Sequence, residues 1–119
     1  MKKINLAQKF GLIRDHWSPK IVGEVNDVHI KLVKFQGEFI WHLHEEEDEM
    51  FLVLNGVMVM KLKGGDITLE AGECIIVPRG VEHMPVADEE VYVMLIEPKT
   101  TRNTGNVETE RTVKEPERI

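Results

Sequence analysis

The feature that most narrows the possible folds is a succession of short strand-like runs. "HIKLVKF", "GEFIWHLH", "EMFLVLNG", "VMVMKL", "DITLEAG", "ECIIVP", "EHMPVA" and "EVYVMLIEP" are rich in β-branched and aromatic residues, and Gly, Asn, Pro or acidic clusters separate them. A strand signal roughly every ten residues predicts an all-β sandwich or barrel. Asn55-Gly56 predicts a hairpin between two of the runs, and Gly64-Gly65-Asp66 the next turn. Only the first dozen residues offer room for a short helix.

At 119 residues the chain is expected to form one domain around a single core. Residues 1–98 carry the strand signals. Residues 99–119, "KTTRNTGNVETERTVKEPERI" with Lys99 at the head, are charged and poor in aliphatics, so they are expected to be either disordered or an extended strap. The net charge of -6 argues against nucleic acid or an anionic membrane as partner, because both need clustered Lys and Arg. No run is long and apolar enough for a membrane span, and Asn5, Gln8 and Lys9 interrupt any signal-peptide core. Cys74 is the one cysteine, which fits a reducing, cytoplasmic setting. Its apolar surroundings in "GECIIVP" predict a small buried hydrophobe.

Several runs are apolar on both faces. Phe39, Trp41 and Leu43 alternate with Ile40, His42 and His44, and Met50, Leu52 and Leu54 alternate with Phe51 and Val53. Something must cover the second face, either another copy in a homodimer or a terminal segment.

The chemistry is concentrated in "FIWHLHEEEDEMFLVLNG". Side chains at i and i+2 of a strand point the same way, so His42 and His44 can address one point. Glu49 alternates with Phe51 and Val53 and falls on their face. "GECIIVPRGVEHMPVA" supplies His83 after a turn at Pro78 and Gly80. Three imidazoles and a carboxylate suit a divalent transition metal, one of Mn, Fe, Co, Ni, Cu or Zn, and suit Mg or Ca poorly. In six-coordinate geometry two positions stay open for substrate, water or dioxygen.

These residues resemble the cupin superfamily. Gly37, His42, His44, Glu49 and Gly56 look like its first motif, within 37–56, and Gly72, Pro78, Gly80 and His83 look like its second, within 72–87. The gap from Gly37 to His42 is one residue shorter than usual, and Ala87 stands where the second motif usually ends in Asn. The resemblance implies a jelly-roll β-barrel, with His42, His44, Glu49 and His83 as metal ligands and frequent dimerisation. It leaves the reaction open, since the superfamily holds dioxygenases, isomerases, decarboxylases, storage proteins and sensing modules.

Other polar residues read more plainly. His16 and His29 match neither motif and are expected to be structural, and Glu45, Glu46, Glu47 and Asp48 are expected to form a solvated loop. Arg79 is the cation nearest the second motif and a candidate substrate contact. Trp41 is assigned to inter-sheet or subunit packing, and Met58 and Met60 to the core. Three functions compete. One is a metalloenzyme of oxygenase or isomerase type acting on a small molecule, with Glu49 able to take a proton. The others are a metal-dependent module that binds a small ligand without turnover, and a metal-free scaffold.

Overall fold

The computed structural model of the chain describes residues 1–119. One short helix, α1 (Leu6–Phe10), precedes β1 (Lys20–Val25), β2 (Val28–Glu38), β3 (Glu49–Asn55), β4 (Val57–Leu62), β5 (Ile67–Glu70), β6 (Cys74–Val77) and β7 (His83–Pro98). All pairings between these strands are antiparallel. β1, β2, β7, β3 and β6 lie side by side in that order, and β4 joins β7 to β5. The all-β jelly-roll expectation holds.

β7 is the spine. Its first residues pair with β4, from Leu62↔His83 to Val59↔Val86, while its later residues pair with β3, from Asn55↔Tyr92 to Met50↔Ile96. Between them the exposed Asp88, Glu89 and Glu90 bulge out of the ladder with β2, where pairing jumps from Gly37↔Ala87 to Phe35↔Val91. A bulge bends a strand, and this one turns β7 from one wall of the barrel into the other.

Three local expectations are corrected. "EHMPVA" and "EVYVMLIEP" are one strand, because the acidic residues between them are the bulge and not a turn. Asn55-Gly56 does not close a hairpin: β3 and β4 each pair with β7 instead of with each other. Gly56, at φ 92°, passes so close to β7 that an added Cβ would lie 3.0 Å from the Glu90 carbonyl oxygen. "GEFIWHLH" is not a strand beyond Glu38, and Phe39–Asp48 is irregular apart from a bridge between His42 and His83. The β4–β5 hairpin around Gly64-Gly65-Asp66 does form.

The inward positions alternate as period two requires. Val33 and Phe35 of β2, Phe51 and Val53 of β3, Met58 and Met60 of β4, and Val91, Val93 and Leu95 of β7 make the core with Leu69, Val77 and Ala87. Apart from Ala87, each contributes about 1.5 to 3 kcal/mol on burial. Trp17, from the loop before β1, stacks on Phe35 at 4.3 Å and on Phe39 at 4.9 Å and closes that end of the barrel.

The second apolar face is partly covered from within the chain. Phe10 and Ile13 pack on Leu32 with Leu54, Tyr92, Met94 and Ile119 around them, and Phe10 stacks on Tyr92 at 4.6 Å. Asn5 caps α1 by accepting from the Gln8 amide at 3.0 Å. Further along the same sheet, beyond the positions covered by Phe10 and Ile13, Met50, Ile76 and Ile96 are neighbours on three adjacent strands, and Ile76 is 64% exposed. Cys74 is exposed on β6, against the expectation of burial, because β6 is an edge strand whose outward side chains meet solvent. Trp41 lies half-buried on the outside under the Lys63 ammonium, 4.0 Å from its ring centre, and not between sheets.

Residues 99–119 form no strand or helix but lie against the barrel. Thr101 and Thr104 are buried, and Ile21 bonds to both Glu117 and Ile119 through the backbone.

Candidate metal centre

Local geometry explains why the two histidine segments meet. His42 and His83 exchange both backbone hydrogen bonds, at 3.1 and 2.9 Å, as a narrow antiparallel pair does. The Gly80 amide donates to the His44 carbonyl at 2.7 Å, and Gly80 takes φ 79° to make that turn. Glu49 opens β3 on the inward face it shares with Phe51 and Val53. The imidazole centres of His42 and His83 come within 4.3 Å, those of His42 and His44 within 5.1 Å, and those of His44 and His83 within 5.6 Å.

His42, His44, Glu49 and His83 are all buried, and one donor atom from each lies within 4.8 Å of the others. The group could hold a metal ion. Nδ1 of His42 faces the Ile40 carbonyl at 2.9 Å and Nδ1 of His83 faces the Val81 carbonyl at 2.9 Å. A carbonyl only accepts, so both rings carry their proton on Nδ1 and keep a free lone pair on Nε2. Nε2 of His44 and of His83 stand 3.1 and 3.5 Å from Glu49 Oε1, yet none of these three buried atoms makes a hydrogen bond. Buried polar atoms left without partners are rare, and here they converge on one point. A divalent cation would satisfy them together.

Electrostatics agree with a cation. Burial, with the His83 imidazole beside it, pulls His42 down from 6.5 to about 4, so at neutral pH it is an unprotonated donor. Burial alone would push the Glu49 carboxyl up, but Glu97, His44 and His83 around it outweigh that and hold it well below the usual carboxylate range.

Sequence reasoning missed two residues beside this centre. One step past the Met50↔Ile96 pair, Glu97 comes alongside Glu49, and Lys31 Nζ donates to Glu97 Oε1 at 2.8 Å. Both Lys31 and Glu97 are about 2% exposed. Burial and then the Glu49 charge push Glu97 well above the usual range. We therefore assign a protonated Glu97 against an ionised Glu49, the pair sharing one negative charge that Lys31 balances. A Lys and a Glu at inward positions of otherwise apolar strands were the available signal.

The remaining candidates lie elsewhere. Arg79 is exposed, its amide donating to Asp48 at 2.9 Å and its side chain 3.7 Å from the same carboxylate; it is not among the four donors but lines a surface cleft with Glu49 and Glu97. His16 pairs with Glu90 at 2.7 Å and His29 with Glu24 at 3.3 Å, both outside the group. Glu45 and Glu46 are exposed.

Three spaces adjoin the donors. One is a surface cleft of about 390 Å³ lined by Glu49, Glu97, Arg79, Met50, Ile76 and Ile96. Inside the barrel an apolar chamber of about 20 Å³ is lined by Trp17, Phe35, Phe39 and Phe51 together with His42 and Glu49. On the other side a polar cleft of about 410 Å³ runs between His44, the loop Glu45–Glu47 and Thr100, Arg102 and Asn106, with no hydrophobic residue in its wall.

Comparison with known proteins gives a consistent picture. Residues 30–98, more than half of the chain, match the family model described as Cupin domain. A cupin-2 domain containing protein from Shewanella frigidimarina is 48% identical, with TM-score 0.79 over 80% of this chain and 93% of that one. A protein from Neisseria meningitidis is 32% identical, with TM-score 0.75 over 82% of this chain and 99% of that one. The uncharacterised protein YdbB of Bacillus subtilis is 36% identical over 63 residues, which are 52% of this chain and 56% of that relative.

Proposed function

The chain belongs to the cupin domain family, and from that membership and its four convergent buried donors we propose a metal-dependent enzyme of oxygenase type acting on a small polar molecule. His42, His44, Glu49 and His83 would be the ligands of a divalent transition metal. When bound, a redox-active ion such as Fe(II) would supply the one-electron chemistry that dioxygen needs.

The observation that carries the oxygenase reading is the aromatic-lined chamber beside His42 and Glu49. The chamber, at about 20 Å³, has room for a molecule the size of water or dioxygen, and its walls are mostly apolar, with His42, Glu49 and Asn103 as the polar groups. The polar cleft on the His44 side offers the room and the hydrogen-bonding wall for a polar substrate. Glu49 would be a ligand of the ion and is also the carboxylate at the centre that could accept a proton. An isomerase would draw its acid and base groups from the polar cleft, where Glu45, Glu46 and Glu47 line the wall. The alternative is a metal-dependent module that binds a small ligand without turnover.

We also propose that Met50, Ile76 and Ile96 meet a second copy in a homodimer, and that the protein works in the reducing cytoplasm, a setting its single cysteine fits. No helix is long and apolar enough to cross a membrane.

The test loads the apo protein with Fe(II) or Zn(II), screens small metabolites by thermal shift, and follows oxygen uptake and products for every hit. Oxygen consumption with Fe(II) and inhibition by Zn(II) are expected. Ligands that stabilise all forms alike, with no oxygen uptake and no product, would establish the binding module instead.

A further inference from the structure

The ligand-bearing segment is held from two sides, and only one side belongs to the barrel. In extended backbone, successive residues direct their N–H and C=O groups to opposite sides. His42 turns both groups toward His83, and the His44 carbonyl accepts from Gly80, all on the side of the second motif. Leu43, between the two histidines, faces the other way. No strand lies there.

Asn106 stands in for one. The Leu43 amide donates to Asn106 Oδ1 at 3.0 Å, and the Asn106 amide donates to the Leu43 carbonyl at 3.0 Å. One residue thus satisfies both groups that a neighbouring strand would otherwise pair. Gly105 makes the approach possible. It has φ 58°, and a Cβ there would overlap the Leu43 carbonyl oxygen and lie 3.1 Å from His42 Cδ2.

The segment that carries this pair is itself braced. Thr104 is fully buried and its Oγ1 bonds to Thr112 Oγ1 at 2.7 Å. Asn103 Oδ1 accepts from the Val113 amide at 2.8 Å, and Arg111 donates to the Glu38 carbonyl at 2.9 Å, where β2 ends and the ligand segment begins. The family match ends at residue 98, so this brace lies outside it.

We propose that residues 100–113 are a working part of the metal centre, with Gly105 and Asn106 as positioning residues that keep His42–Leu43–His44 extended so that both imidazoles reach Glu49 and His83. The proposal rests on the metal-site reading above. Without its partner on the Leu43 side the ligand segment would be held from the second-motif side alone, and loss of an orienting partner typically weakens metal binding about 10- to 100-fold.

The test titrates the full-length apo chain with Co(II), following its ligand-field absorption and measuring affinity against a competing chelator, with far-UV circular dichroism as the fold check. Asn106→Ala and Gly105→Ala are expected to bind about 10- to 100-fold more weakly with altered band positions. Asn106→Asp, which keeps an acceptor for the Leu43 amide, is expected to restore most of the affinity and the wild-type bands. Wild-type affinity and spectrum in folded Asn106→Ala would overturn the proposal, and if that variant does not fold, the same result in Gly105→Ala would. Failure of the metal reading looks different: the wild type would take up no Co(II), or His83→Ala would bind it equally well, and the proposal would fall with it.

Discussion

Replacing Lys31 and Glu97 separately should give unequal results, and the inequality tests how the charge beside the metal centre is arranged. If Glu97 is protonated, Glu97→Gln is nearly isosteric in hydrogen bonding. The amide oxygen accepts from Lys31 as Oε1 does at 2.8 Å, and the amide N–H donates toward Glu49 in place of the acid proton. The expected cost is within about 1 kcal/mol, that of one re-formed hydrogen bond. Lys31→Met removes the cation and leaves the charge of Glu49 buried without balance in the apo protein, at about 3 to 5 kcal/mol. With a urea slope of about 1.5 kcal/mol per M, the unfolding midpoint should fall by roughly 2 to 3 M for Lys31→Met and by less than about 1 M for Glu97→Gln. The pH dependence adds a sign. A carboxyl raised in the folded state contributes stability below its ordinary value of 4.5 and loses that contribution as pH rises toward its folded value. Glu97→Gln abolishes that loss, so its stability relative to wild type should improve as pH rises above 4.5. The assay is urea unfolding of chelator-treated protein across that range, followed by tryptophan fluorescence. A cost for Glu97→Gln as large as that for Lys31→Met would refute the protonated carboxyl and make Lys31–Glu97 an ordinary ion pair.

Two further outcomes are expected. His42 is held down at about 4 against 6.5, so as pH falls through that window the unfolded chain takes a proton that the folded chain refuses. The apo protein should lose about 3 kcal/mol between pH 6.5 and 4, and His42→Gln should flatten that part of the curve; an unchanged slope in the variant would count against it. Light scattering should give about twice the 13.7 kDa chain mass, and Ile76→Glu should halve it, whereas a monomeric wild type would remove Met50, Ile76 and Ile96 as an interface.

The residues of the centre were legible in the chain because their information is local. His42 and His44 share a face by spacing, Glu49 belongs to the period-two face of its own strand, and Gly80 before His83 marks the turn that brings the second segment round. The barrel class was legible for the same reason, since alternation and turn residues act over a few positions. What the chain could not show depends on pairings between distant residues. Glu97 meets Glu49 only because β7 lies beside β3 in one register, and a shift of one residue would turn it outward. The acidic break in β7 reads locally as a turn, and only the ladder with β2 on one side reveals it as a bulge. Asn55-Gly56 reads as a hairpin until β7 is found between the strands it joins. Asn106 lies in a polar tail whose composition carries no strand signal, yet it completes the backbone of Leu43 across 63 residues of sequence. Local spacing determined which side chains point together; the tertiary structure decided which distant groups those side chains and their backbone meet, because each such partner is selected by register and closure of the barrel.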